Sequence, residues 1–313
     1  MTWAERTDIA SNGGQTREKG FLRMFAVVGR FHITAIAALG IFTFGWLFTG
    51  DYPWLLTGVC ALDWFFVNLI NRIVDLKEDE ANAITGTEFL AKHRKHLIVV
   101  GFILLLVSLV VVHLLNPAIT GLRVTCHFMG VLYNWPLLQG GRLKEQYFWK
   151  NMASVIGFLL TVFGYPLATL TWEKGFHSFP PGITWATVLF SALFFLLFVM
   201  SYEVIYDLRD VRGDTLAGIR TYPVAHGEHT AVRIVDGLIL SSILVLAAGY
   251  GSGFVPWRIF IMVGAPVIQY AVYKRALRRG ISTKDCTFIT WMGAVLFLIY
   301  HLWVLAELPG ARL

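Results

Sequence analysis

Nine stretches dominated by apolar residues divide this chain, at 31–48, 53–70, 97–115, 118–138, 152–172, 185–202, 234–250, 258–273 and 288–305. Several approach the ~20 residues that a helix needs to cross a bilayer. With 56% of its 313 residues hydrophobic and 15% charged, the chain carries more apolar surface than a water-soluble core of this size would bury. The expected fold is therefore all-α: a polytopic membrane bundle of nine transmembrane helices. The stretches at 234–250 and 258–273 are short and contain Gly or Pro, so their ends are the least defined.

Basic residues orient the bundle. Of 26 lysines and arginines, 22 fall before the first stretch or in the loops after the second, fourth, sixth and eighth. The positive-inside rule then places the N-terminus and those loops in the cytoplasm. The net charge of +6 follows from this asymmetry and suits anionic lipid headgroups. No aromatic–basic recognition motif accompanies it, so no nucleic-acid partner is expected. Residues 1–22 read as a polar cytoplasmic tail, without the short apolar region of a signal peptide, and 23–313 as one transmembrane domain. Cys60, Cys126 and Cys286 are isolated and form no CxxC pair, which suits small apolar filler.

Two acidic clusters recur on the cytoplasmic side. The first, in Asn68-Leu-Ile-Asn71-Arg72-Ile-Val-Asp75-Leu-Lys-Glu78-Asp79, follows the second stretch; its Asn71, Asp75 and Asp79 are four residues apart. On a helix that spacing puts them on one slowly drifting face, where like charges repel. Alone, a solvated helix end accounts for this as well as a metal site does. The second cluster, Asp207, Asp210 and Asp214, follows the sixth stretch, and Asp75–Asp210 and Asp79–Asp214 are both 135 residues apart. An equal offset in the same position relative to an apolar stretch points to two pseudo-repeated halves that face one shared site. Clustered carboxylates suit Mg²⁺, which takes one or two protein carboxylates and completes its shell with water and phosphate. Arg142, Lys144, Arg209 and Arg212 add cations of the kind that grip phosphate.

These motifs resemble those of the UbiA superfamily of intramembrane prenyltransferases. The likeness lies in Asn71-x-x-x-Asp75-x-x-x-Asp79, in Asp210-Val-Arg-Gly213-Asp214 with Gly218, Thr221 and Pro223 downstream, and in Tyr133-Asn134-Trp135-Pro136 followed by Arg142-Leu143-Lys144 and Lys150-Asn151. It implies a nine-helix fold and an enzyme that moves an isoprenoid chain from a polyprenyl diphosphate to a lipophilic or aromatic acceptor. Two Mg²⁺ ions on Asn71, Asp75, Asp79, Asp210 and Asp214 are implied with it. Lys144 joins those four aspartates as a catalytic residue, and Asn68, Asn71, Tyr133, Arg142, Asp207 and Arg209 become substrate contacts. Trp64, Phe65, Phe66, Phe128, Trp135, Phe194 and Phe195 are candidates to shield the allylic cation by their ring faces. The chain departs from the family pattern at Arg72, where an Asp is usual, and in an extra Leu138-Gln139-Gly140-Gly141 stretch.

A terpene cyclase shares the ionising site, and the spacing does not separate it from a transferase. A transporter also joins repeated halves at a central site, but here the acidic motifs lie at loop entrances on one face. Deeper in the bilayer, Asp63 stands open between a functional role and a hydrogen-bonded packing role. For His32, His127, Glu203, Asp236, Gln269 and His301 an interhelical hydrogen bond is the expectation.

Overall fold

In a computed structural model, residues 29–82, 84, 86–137, 141–176 and 178–308 are described, and all of their long elements are helices. The tail at 1–22, Gln139 and its neighbours at 138 and 140, and the last five residues lie outside them. Seven helices are long and apolar enough to cross a membrane: α1 (Phe31–Thr49), α2 (Trp54–Val74), α4 (Thr87–Leu115), α6 (Trp149–Lys174), α7 (Trp185–Leu216), α9 (Glu228–Gly251) and α12 (Thr283–Leu305). Short α3 (Leu76–Ala81) and α8 (Tyr222–His226) lie between them. The two other apolar stretches are helical as well, but shorter or interrupted. α5 (Thr120–Asn134) has 15 residues, and 258–273 is divided among α10 (Trp257–Phe260), a 3₁₀ turn (Ile261–Val263) and α11 (Gly264–Leu277).

Several helices run past their apolar stretches. α7 has 32 residues, or ~48 Å, against a hydrocarbon core of ~30 Å. Its last turns therefore project beyond the core and carry the second acidic cluster on helix, where the sequence suggested a loop. Thr184 starts this helix by accepting a hydrogen bond from the Thr187 amide at 3.3 Å, and Ser282 does the same for α12 through the Asp285 amide. α4 begins ten residues before its apolar run, so Lys92, Arg94 and Lys95 occupy its polar entry turns.

α1 packs against α2 and α12, while α7 packs against α6 and α9. Phe44 of α1, Phe163 of α6 and Phe195 of α7 join the two groups, with ring centroids 4.6 and 5.4 Å apart. Outward, α4 exposes Val99, Ile103, Leu106, Val110 and Leu114, an apolar face suited to lipid. The three cysteines are free and buried, as expected.

The π turn Leu160–Gly164 within α6 precedes Pro166, which has no N–H to continue the regular ladder. It aims Thr161 at Trp64, whose Nε1 donates to it at 3.0 Å, and Tyr165 at Asp63, where the hydroxyl donates at 2.9 Å. Asp63 also receives Arg123 Nε at 3.0 Å and Nη2 at 2.5 Å, and pairs with His127 Nε2 at 3.0 Å. Asp63 and Arg123 are both fully buried. Its oxygens are saturated by α5 and α6, and it does not line the cavity described below, which favours the packing side of the open question about Asp63. Of the other deep polar candidates, His301, Gln269 and Asp236 bond between helices as expected, with Thr43–His301 at 3.0 Å, Gln269–Ser201 at 2.8 Å and Lys274–Asp236 at 2.6 Å, whereas His32 makes no such bond among the described residues.

Asp63→Asn keeps the shape of the hub but leaves the Arg123 charge buried and unpaired. A loss of ~3–5 kcal/mol is expected. The double change Asp63→Leu with Arg123→Met should recover most of it, as read by reversible unfolding in mixed micelles.

Candidate active site

The first cluster is built on a broken helix. α2 ends at Val74, Asp75 occupies the junction with φ −92° and ψ 23°, and α3 resumes at Leu76 with Asp79 in its first turn. Asn71, Asp75 and Asp79 therefore do not share one continuous helical face. In contrast, Asp207, Asp210 and Asp214 lie on the unbroken α7, within two turns of one another.

Each carboxylate of both clusters is already matched by a cation. Lys144, in the 3₁₀ turn Leu143–Glu145, pairs closely with Asp75 and reaches Glu78 Oε2 at 2.6 Å. Arg142 Nη1 lies 3.5 Å from Asp75, Nη2 3.0 Å from Glu78, and Nε 2.6 Å from Glu145. Asp79 receives Arg72 Nε at 2.7 Å, with Arg30 at 3.5 Å. In the second cluster Lys150 bridges Asp207 at 2.9 Å and Asp214 at 2.8 Å, Asn151 donates to Asp207 at 2.7 Å, and Arg209 pairs with Asp210. The mutual repulsion expected from the sequence is thereby offset by lysines and arginines. Burial pushes the Asp75 carboxyl up to about 6, against the pull of Lys144 and with the repulsion of Glu78 and Asp79 adding to it.

The two clusters meet at one end of the bundle. Asn82, just after α3, accepts a hydrogen bond from the Gly213 amide at 3.0 Å. A Cβ at Gly213 would stand 2.3 Å from that side chain, so glycine is what lets the loop dock between Asp210 and Asp214. Tyr133, at the end of α5, lies within electrostatic reach of Asp75 and Asp207. Asn68 instead turns its amide back to the Trp64 carbonyl at 2.7 Å.

Below the clusters opens a cavity of about 800 Å³. Arg30, Asn68, Asn71 and Tyr133 line its polar part, and Trp64, Phe158, Phe194, Phe195 and Phe198 its apolar wall. Of the aromatic candidates, Trp64, Phe194 and Phe195 face it. Phe65, Phe66, Phe128 and Trp135 do not line it; Phe66 is packed in the core and Phe128 is 58% exposed. Trp64 stacks on Phe158 with centroids 3.9 Å apart. The buried Asn71 Oδ1 has no hydrogen-bond partner among the described residues. No three Asp, Glu, His or Cys side chains among them converge into a closed metal cage. Mg²⁺ seldom uses such a cage, and a free amide oxygen beside carboxylates is a donor set that fits it.

Sequence reasoning did not single out Arg30, Glu78 or Asn82. It named Lys150 and Asn151 only as part of a motif, although both hold the second cluster. Arg72, noted as a departure from the usual Asp, is the closest cation to Asp79 among the described residues.

This arrangement, paired acidic helix ends above an aromatic cavity in an all-α membrane bundle, defines a class of intramembrane enzyme. Residues 31–298 match the model of the UbiA prenyltransferase family, and the chain belongs to that family. It is similar to digeranylgeranylglyceryl phosphate synthase of Methanopyrus kandleri, at 32% identity over 72 residues, which spans 22% of this chain and 27% of that protein. The fold is similar to a UbiA homolog from Archaeoglobus fulgidus solved with GPP and Mg²⁺, with a TM-score of 0.68, 15% identity, and 90% and 99% of the two chains covered. The form of that homolog bound to DMAPP and Mg²⁺ gives a TM-score of 0.66 at 14% identity, covering 91% and 99%.

Lys150→Met should show what the counter-ions contribute. Two buried carboxylates would lose their shared partner, and we expect at least ~3 kcal/mol of destabilisation. Unfolding without divalent cations measures it.

Proposed function

We propose that this chain is a Mg²⁺-dependent prenyltransferase, which moves an isoprenoid chain from a polyprenyl diphosphate to a lipophilic or aromatic acceptor and releases diphosphate. The observation that carries this reading is the convergence of two acidic clusters, with the unpartnered Asn71 Oδ1, at the polar end of an aromatic-walled cavity. The binding of DMAPP or GPP with Mg²⁺ by the Archaeoglobus homolog agrees with it.

Asn71, Asp75, Asp79, Asp210 and Asp214 would hold two Mg²⁺ ions. The chemistry such ions supply when bound is charge neutralisation on diphosphate oxygens. Lys144 and Arg142, which neutralise Asp75 and Glu78 here, would turn to the diphosphate once those carboxylates have another cation. Asp207, Arg209, Tyr133 and Asn68 complete the polar end around the donor. As the allylic C–O bond breaks, its electron pair leaves with the diphosphate. Trp64, Phe194 and Phe195 line the cavity, where they would exclude water and offer ring faces to the cation. The acceptor then forms the new bond to the allylic carbon and gives up a proton.

Both clusters and the N-terminus would face the cytoplasm, as the basic residues indicate. We read α5 and the α10–α11 pair as crossings too, giving nine in two related halves with 23–313 as one domain. Cysteine labelling in sealed, oriented vesicles tests this: positions 75 and 210 should react from the same, cytoplasmic side.

For Asp75→Asn and Asp210→Asn, diphosphate release should fall at least ~10²-fold, the usual cost of one preorganised electrostatic contact. Release should also vanish after EDTA and return with Mg²⁺. Product mass, from prenyl diphosphates of several lengths with a membrane extract, distinguishes transfer from cyclisation. Full-rate release by folded Asp75→Asn and Asp210→Asn proteins would refute the two-cluster mechanism.

The Asp75 carboxyl adds a pH signature. Below about 6 it carries a proton and is a poor cation ligand; above, it is ionised. Calorimetric titration with Mg²⁺ should therefore show tighter binding at pH 7.5 than at pH 5.5, and Asp75→Asn should reduce that difference by the share that Asp75 carries.

A further inference from the structure

Glu203 differs from every other carboxylate near the cavity. Asp75, Asp79, Asp207, Asp210 and Asp214 are all ion-paired. Glu203 has no ion pair among the described residues; its hydrogen-bond partner there is Ser154 Oγ, which donates to Oε1 at 2.7 Å. Both residues line the cavity. Ser154 lies one turn beyond Lys150 on α6, and Glu203 one turn before Asp207 on α7. The Ser154–Glu203 contact is thus a rung below the Lys150–Asp207 pair, ~6 Å deeper along the helix. The charged and titratable groups that face it are Lys150 from α6, Arg30 ahead of α1, Tyr133 from α5 and Asp207 on its own helix. Lys150 is committed to Asp207 and Asp214.

An ionised carboxylate has about four acceptor sites, and Ser154 uses one. The cavity it opens on has Phe158, Phe194 and Phe198 in its wall, which donate nothing, and Arg30, Tyr133 and Tyr202 among the donors that share the lining; none of these donors hydrogen-bonds Glu203. An acid held in such surroundings is costly unless something satisfies it, and a functional role is the default reading. Its depth sets what that is. A diphosphate at the acidic clusters leaves its allylic carbon one C–O bond further in, toward Glu203, where the incoming nucleophile must stand.

We propose that Glu203 binds the hydroxyl group of the acceptor and takes its proton, so the acceptor is a hydroxyl-bearing lipid-like molecule. This rests on the prenyl-transfer reading. The allylic C–O bond breaks with its electron pair going to the diphosphate. A lone pair of the acceptor hydroxyl forms the new C–O bond, and the hydroxyl proton passes to the free oxygen of Glu203. The ether leaves, and Glu203 returns the proton to water at the cavity mouth.

The test uses the full chain in nanodiscs with Mg²⁺ and geranyl diphosphate. A long-chain alkylglycerol and a long-chain alkylphenol serve as probes for an aliphatic and an aromatic hydroxyl. Ether product and total diphosphate released are measured together. For Glu203→Gln, which keeps an oxygen for Ser154, the share of released diphosphate that ends as ether should fall at least ~100-fold, the range of general-base contributions. Glu203→Asp should recover at least tenfold of that loss, and Ser154→Ala should stay within tenfold of the unmodified protein. A wild-type share in Glu203→Gln, or an equal loss in Ser154→Ala, would make the residue an interhelical strut and overturn the proposal. So would a fall in total release with the share unchanged, which assigns Glu203 to ionisation. Diphosphate release with ether from neither probe overturns the hydroxyl assignment alone. No release from the unmodified protein overturns the prenyl-transfer reading with it. Preference between the two probes identifies which kind of hydroxyl the cavity takes.

Discussion

The constraint on which this structure depends is the cost of an unpaired carboxylate at the edge of a membrane. A charge there loses hydration, and only a close partner of opposite sign or a set of hydrogen bonds offsets that loss. The chain meets this by drawing partners from different elements. Lys144 and Arg142 of the middle loop hold Asp75 at the end of α2; Lys150 of α6 holds Asp207 and Asp214 of α7. These pairs also determine where α2, α6 and α7 end relative to one another. The residues that would receive a cation and a diphosphate are thus the ones that close the bundle at this end, and their present partners are cations too.

The two clusters reach this state differently. α7 continues unbroken through Asp207, Asp210 and Asp214, whereas the first cluster bends at Asp75 so that α3 swings Asp79 back toward Arg72. The bend also delivers Asn82 to the Gly213 amide, which fastens the first cluster's loop to the second cluster's helix. Arg72 supplies in cis a counter-charge for Asp79. Its occurrence where the family pattern has an acid lowers the negative charge of the first cluster without removing Asn71, Asp75 or Asp79.

Much of this was legible in the sequence because it depends on local pattern. Apolar run length gave the helices, and the equal spacing of Asp75–Asp210 and Asp79–Asp214 revealed two clusters bound for one place. Family membership agrees with that reading and sets the transporter class aside. What stayed hidden depends on contacts across long separations. Nothing in the spacing tells that Arg123 faces Asp63 60 residues away, or that Lys150 bridges two acids of α7. Where helices stop was also hidden. α7 continues through a charged segment because its hydrogen bonds remain internal outside the apolar core, while α2 breaks at Asp75. The aromatic candidates divided for a similar reason: Trp64 and Phe66 are two residues apart, and a helix sends them to different sides.

Asp63 and Glu203 show how a buried acid in such a bundle is to be read. Both stand on helices that carry an acidic cluster, and composition treats them alike. Asp63 is met by Arg123, His127 and Tyr165, it is fully enclosed, and its oxygens are used up. Such a group binds helices together and has no capacity left for a ligand. Glu203 has the Ser154 hydroxyl on one oxygen and opens on the cavity. Its desolvation is only partly offset by the protein, so a donor that enters the cavity gains more from meeting it than from any apolar neighbour. A hydroxyl drawn to that place has its lone pairs next to the carbon that the diphosphate is leaving. The same electrostatic cost that fixes Asp63 in the framework therefore makes Glu203 a point of attraction for the acceptor.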